Sequence, residues 1–238
     1  MLVLSGCKND DTYSFDPRPF LPKYDSFYKE NDITRYTAGK KPQSLRYLKY
    51  ILRRDSLANE FCNKAGFDCL DSGYYDMEIR IGFGGGLRAQ EQYFILKRSD
   101  GTWNACINIV SMDLEYIYSP DSSYKTKLVV AENKKNEVFP KSNWETVFRK
   151  LNEWQIFTLP DGEVIDNGGS DAATDGEGYS IEVATSNMNR RYSYSYPEDK
   201  LDKWQAKSFY DIMNFLYKEF GFTKLGYNWG KRGQKLVH

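Results

Sequence analysis

Between Tyr75 and Phe83 apolar and polar positions alternate with a period of two. Tyr75, Met77, Ile79, Ile81 and Phe83 fall on one side, and Asp76, Glu78, Arg80 and Gly82 on the other. This is the pattern of a half-buried strand. Gly84, Gly85 and Gly86 then turn the chain, and "QYFILKR" returns. Asp100-Gly101 marks a tight hairpin into "TWNACINIV", where Trp103, Ala105, Ile107 and Ile109 alternate with Asn104, Cys106 and Asn108. "LEYIYS" and "YKTKLVV" continue the pattern, which predicts a meander of about five antiparallel strands. A further hairpin is expected from "GYSIEVA" and "RRYSYSY". The run "GFGGGLR" resembles a phosphate-cradling loop, but such loops lead into a helix and this one leads into a strand, so a hairpin turn is preferred.

Three segments switch to helical spacing. In "PQSLRYLKYILRRDSLANEF", Leu45, Leu48, Ile51 and Leu52 form a stripe, with Pro42 near the start and Gly66 beyond the end. Its basic face, Arg46, Lys49 and Arg53, is the solvated side of a packed helix, or else a surface for anionic headgroups. In "SNWETVFRKLNEW", Ser142 is the expected cap with Glu145 as its capping-box partner, and Trp144, Val147, Phe148 and Leu151 form the buried stripe. The last helix, "LDKWQAKSFYDIMNFLYKEF", places Phe209, Ile212, Met213, Leu216 and Phe220 on one face and ends at Gly221. Helices before, between and after a meander predict an α+β domain, an antiparallel sheet packed by about three helices.

Composition narrows the function classes. Lys+Arg and Asp+Glu both number 33, so there is no net field to steer nucleic acid, and no nucleic-acid partner is expected. Tyr is abundant, at 19 residues, which suits half-buried sheet faces and, less directly, aromatic platforms for sugars. The one histidine is His238, at the end of the chain. Ser-His or Cys-His catalysis would have to recruit that position, and zinc lacks a ligand set, so no catalytic residue, metal or cofactor is assigned.

The opening "MLVLSGCKNDD" carries an address. Leu4-Ser5-Gly6-Cys7 resembles the processing box of bacterial lipoproteins at every position, and the polar Lys8-Asn9-Asp10-Asp11 resembles the stretch after the lipidated cysteine in surface lipoproteins of Bacteroidota. The resemblance implies that residues 1–6 are the remnant of a signal peptide whose frame begins upstream, the alternative being an accidental match. It implies lipidation at Cys7, three acyl chains including palmitate, and a lipid membrane as partner at the bacterial outer membrane. Residues 7–42, with "DPRPFLP" at their centre, then read as a lipidated tether, with Phe15, Phe20 and Phe27 available to dock on the body. Residues 43–238 read as a single α+β domain.

Few residues beyond these point to chemistry. Cys62 and Cys69 flank "NKAGFD" closely enough for a disulfide loop in an oxidising compartment, although Cys106 makes three single-bridge pairings open. The acidic "DGEVIDNGGSDAATDGE" raises calcium. Counted from Asp171, an EF-hand would use Asp175 and Glu182, but Ala173 occupies a ligand position, leaving a looser calcium loop or a plain surface loop. "DGEGYSIEVATSNMNRRYSYSYP", through Asp175, Gly176, Tyr179, Glu182, Tyr192, Tyr196 and Pro197, resembles a pattern of bacterial envelope and lipoprotein sequences, which implies no activity. Within it Glu182 and Arg191 are placed for a cross-strand ion pair, and Glu182, Arg191, Tyr192 and Tyr194 are the candidate binding residues. The leading expectation is an envelope-anchored, non-catalytic binding domain for a glycan or protein partner. The alternatives are a carboxylate-based glycan hydrolase, needing two facing carboxylates in a cleft, and a toxin inhibitor or immunity lipoprotein.

Overall fold

The computed structural model describes residues 56, 58–68, 70, 76–84, 90–118, 124–160, 162, 178–185 and 188–223. Cys7 and the tether, the first helix through residue 55, Cys69, Asp171 and Asp175 lie outside them. The architecture is α+β. Among the described residues six strands form one antiparallel sheet: β1 Met77–Gly84, β2 Gln90–Ser99, β3 Thr102–Tyr118, β4 Tyr124–Val138, β5 Gly178–Thr185 and β6 Met188–Ser195. Among the described residues there are three α-helices: α1 (residues 58–65), α2 Trp144–Glu153 and α3 Trp204–Phe220.

The spatial order is β4-β3-β2-β1-β5-β6, so the β5–β6 hairpin docks beside β1 rather than continuing from β4. Strands β1 to β4 are the expected antiparallel meander, with one strand fewer than the count read from the sequence. The segments expected as "TWNACINIV" and "LEYIYS" are one 17-residue strand, β3, whose pairing with β4 shifts at Ser111/Met112. Such an irregularity lets a long strand bend without ending. β5, the strand described next after α2, pairs with β1. At Asp100-Gly101 the turn is as expected: both residues have positive φ, 49° and 79°, matching the twist of the β2–β3 hairpin.

The odd positions of β1 face a core built with α2 and α3. Met77, Ile79, Ile81 and Phe83 meet Phe94 and Leu96 of β2, Tyr179, Ile181 and Val183 of β5, and the buried stripes of both helices. Trp103 stacks on Trp144 at 5.9 Å and 7°, pinning α2 to β3. Phe209 of α3 stacks on Tyr194 at 5.0 Å and meets Tyr179 edge-on at 5.2 Å. The α3 stripe is the one read from the sequence, and Gly221 closes it in the left-handed conformation, φ 68°. The cap of α2 is corrected by one residue. Asn143 accepts from the Thr146 amide at 2.8 Å, while the Ser142 amide donates to Glu219 of α3 at 2.5 Å. Ser142 is drawn away by a tertiary contact, and Asn is an equally good cap.

The two margins of the sheet differ. Along β6 runs the segment after α2, held by Arg190, whose guanidinium donates to the Phe157 and Leu159 carbonyls at 2.7 and 2.8 Å. At β4 the residues from Ala131 to Glu137 are all exposed, and Glu132, Lys134, Lys135 and Glu137 charge that edge.

Candidate functional site

Three rows cross the outer face of the sheet, opposite the main core. Arg80, Glu182 and Arg191 are register partners on β1, β5 and β6. In the next row, Tyr93 of β2 lies opposite Gly82, Gly82 opposite Ser180, and Ser180 opposite Ser193. The third row is Gly84, Gly178 and Ser195. Alternation on β5 and β6 puts all these side chains on the face away from Ile181 and Tyr192. The first row is therefore ionic, and the next two hold little larger than a hydroxymethyl group beyond Tyr93.

Helix α1 covers the part of this face nearest β2 and β3. Cys62, Ala65 and Phe67 pack with Val110 and Met112, and Phe61, Tyr93 and Ile95 pack against that cluster. Phe61 stacks on Tyr93 at 5.6 Å, and Phe67 meets Tyr93 edge-on at 5.2 Å. Asn133 of β4 donates to the Ala65 carbonyl at 2.7 Å, which satisfies an orphan acceptor at the C-terminal end of α1. A glycine at position 82 is required here. A Cβ at Gly82 would collide with the Ser180 hydroxyl and come within 2.7 Å of Tyr93 Cε1. A strand glycine of this kind allows a close approach, in this case by the Tyr93 ring.

Between α1 and the β5–β6 hairpin lies a cavity of about 440 Å³, bordered by Phe61, Tyr93, Gly82, Ser180, Glu182 and Arg191 among others. The charges of Arg80, Glu182 and Arg191 are paired. Glu78 and Arg80, both nearly fully buried, meet at 2.5 Å. Arg80 Nη1 lies 3.7 Å from Glu182 Oε2, and Arg191 Nε donates to Glu182 Oε1 at 2.7 Å. Arg80 also donates to the Asp68 carbonyl at 2.7 Å and to Cys62 Sγ at 3.6 Å, while Arg191 donates to Asn59 of α1. Lys97 closes the set, 3.2 Å from Asp68 and 3.8 Å from Glu78. Glu91 accepts from the Tyr93 hydroxyl at 2.5 Å.

Burial sets the proton affinities. It lifts the Glu78 carboxyl above its ordinary range against the pull of Arg80. It would lower Arg80, but the Glu78 carboxylate outweighs it and keeps the guanidinium charged. Burial, then Glu91, raises the Tyr93 hydroxyl well above its usual value. Burial, reinforced by Glu182, pushes the Cys62 thiol up to about 11, so it is a neutral, unreactive group at pH 7.

The expected site residues are divided by the sheet. Glu182 and Arg191 form their cross-strand ion pair on the outer face. Tyr192 and Tyr194 lie buried on the inner face, their hydroxyls donating to the carbonyls of Ile156 at 2.5 Å and Pro160 at 2.6 Å. The four residues lie on one hairpin, and alternation puts the tyrosine rings on the core side while both tyrosines still border the cavity that Glu182 and Arg191 line. Glu182 already has two arginines and sits in mid-strand, which corrects its assignment to a calcium loop. Cys62 is a free buried thiol, and Cys106 is also free. Arg80, Gly82, Tyr93 and Ser180 were not among the expected residues. The signal for them was a glycine two residues after an arginine inside the most regular strand. No group of three or more metal-binding side chains occurs among the described residues, and no described helix is long and apolar enough to cross a membrane. No protein-family model, curated protein or solved structure matches the chain.

Proposed function

We propose that the protein is a non-catalytic binding domain, anchored to the bacterial envelope through Cys7, that takes the end of a glycan into the outer-face cleft. The supporting observation is the cleft itself, about 440 Å³ with an aromatic wall of Phe61 and Tyr93 facing a polar floor at Ser180. That volume lies within the ~300–1,000 Å³ of small-molecule sites, which are mostly apolar with a few fixed polar groups. It fits one or two sugar rings, and a flat protein interface would not need it. The ligand thus meets the face that carries Glu182 and Arg191, and the tyrosines of β6 serve the core.

The binding test is retention of the purified chain on an array of immobilised envelope and dietary glycans. Ser193→Leu, which fills the floor from the outer face, should abolish retention while leaving the melting temperature unchanged. Equal retention of both proteins on every glycan would sink the reading. The anchor is tested by feeding a radiolabelled fatty acid to bacterial cells that express the chain behind a full-length lipoprotein signal sequence. Label is expected in the wild type and none in Cys7→Ala.

A further inference from the structure

We propose that the cleft selects an uncharged pyranose ring and that Ser180 is a specificity-determining residue. This deepens the glycan reading and rests on it. Charge is the first argument. Arg80, Glu182 and Arg191 are each held by an opposite charge of the chain, at 2.5 Å for Arg80–Glu78 and 2.7 Å for Arg191–Glu182, while the Glu91 carboxylate at the border accepts from the Tyr93 hydroxyl. An acidic sugar would have to bring its charge up against Glu91 and Glu182 or break one of these pairs, and an amino sugar would have to draw Glu91 away from the Tyr93 hydroxyl. Breaking a buried pair leaves its partner uncompensated, which costs more than the new contact returns. A zwitterionic ligand such as an amino acid is excluded on the same ground.

Shape is the second argument. A pyranose has an apolar C–H face and a rim of hydroxyls. In the cleft the apolar wall is the Phe61–Tyr93 stack, and the Gly82–Ser180–Ser193 row next to it is low enough for a ring to lie against the backbone. Ser180 is exposed at the centre of that row, flanked by Gly82 and Ser193. Its hydroxyl both donates and accepts, which suits a sugar hydroxyl of either orientation. The carboxylate and guanidinium edges at the end of the floor are fixed by their mutual pairing, so they present a rigid polar border.

The experiment titrates the whole chain with methyl pyranosides of glucose, galactose and mannose, and with the matching uronic acids and 2-amino sugars, by calorimetry or saturation-transfer NMR. At least one neutral pyranoside should bind about tenfold or more tighter than its charged counterparts. Ser180→Ala should weaken that binding roughly three- to tenfold, the loss of one hydrogen bond, without changing the melting temperature. Equal or tighter binding of the uronic acid or the amino sugar overturns the selection for an uncharged ring and leaves glycan binding intact. Unchanged affinity in Ser180→Ala overturns the role of Ser180. If glycans are retained on the array and no monosaccharide binds, recognition of a single ring is wrong. If nothing is retained on the array either, the glycan reading falls as well.

Discussion

The two faces of the sheet are stabilised by different physics. The inner face is mainly apolar from β3 to β6, with buried Gln92 and the Arg98–Asp76 ion pair toward the two ends of β2, and is closed by two amphipathic helices, so its stability comes chiefly from burial and packing. The outer face has a small apolar cluster under α1, and otherwise a closed set of ions, Glu78, Arg80, Glu182, Arg191, Lys97 and Asp68. Ions out of water add little net stability even when well paired, yet each is expensive to orphan. The contrast separates two jobs: the inner face keeps the sheet folded, and the outer face fixes where α1 and the rim of the cleft sit.

The sharpest way to break this comparison is a pair of truncations. Phe209→Ala removes a ring that is fully buried between Tyr179 and Tyr194, and should cost about 3–5 kcal/mol. Arg80→Ala leaves Glu78 and Glu182 without their shared cation, and should also cost about 3–5 kcal/mol near neutral pH. Urea unfolding at pH 7 and again at pH 5 distinguishes them. The Phe209 loss should be the same at both, whereas the Arg80 loss should shrink at pH 5 as the stranded Glu78 carboxyl takes up a proton. A pH-independent Arg80 effect would mean that the outer face is held by packing alone.

A smaller effect tests the division of the β6 tyrosines. Tyr194→Phe keeps the ring stacked on Phe209 and strands the Pro160 carbonyl, so it should cost about 1–3 kcal/mol and leave ligand affinity unchanged. A change in affinity would mean that the two faces are coupled through β6. The smallest effect is a slope. Glu78 has a folded-state pKa above the ordinary carboxyl value of 4.5, because burial outweighs Arg80. The folded state therefore holds more protons than the unfolded state across the interval between those two values. This contribution to stability is fully present below 4.5 and is lost as pH rises through the raised value. Glu78→Gln should remove that component, so the wild type, compared with the variant, gains stability on acidification. Parallel pH profiles for the two proteins would refute the shift.

Much of the inner face was legible in the sequence, because period two in β1 and the 3.6-residue stripe of α3 both report burial directly. The Asp100-Gly101 turn was legible for a similar reason, since few residue pairs accept two positive φ values. The order of strands was not. Nothing local in "GYSIEVA" says that it will pair with β1 rather than follow β4. The cleft was hidden by the same alternation that revealed the strand. Glu78, Arg80 and Gly82 occupy the polar side of an amphipathic pattern, where solvent is the default neighbour, and only tertiary structure turns solvent into α1. Conversely, Tyr192 and Tyr194 looked like a surface because tyrosine tolerates water. Their hydroxyls found backbone carbonyls on the segment after α2.

The exposed, charge-studded β4 has a consequence for life in a crowd. A bare strand margin offers its backbone donors and acceptors to any neighbouring copy, which is how sheets template fibres. In a parallel, in-register stack, the Lys134–Lys135 pair and its flanking glutamates would lie over their own images, lysine over lysine and glutamate over glutamate. Many molecules packed side by side at high local density would repel at that fringe and stay separate.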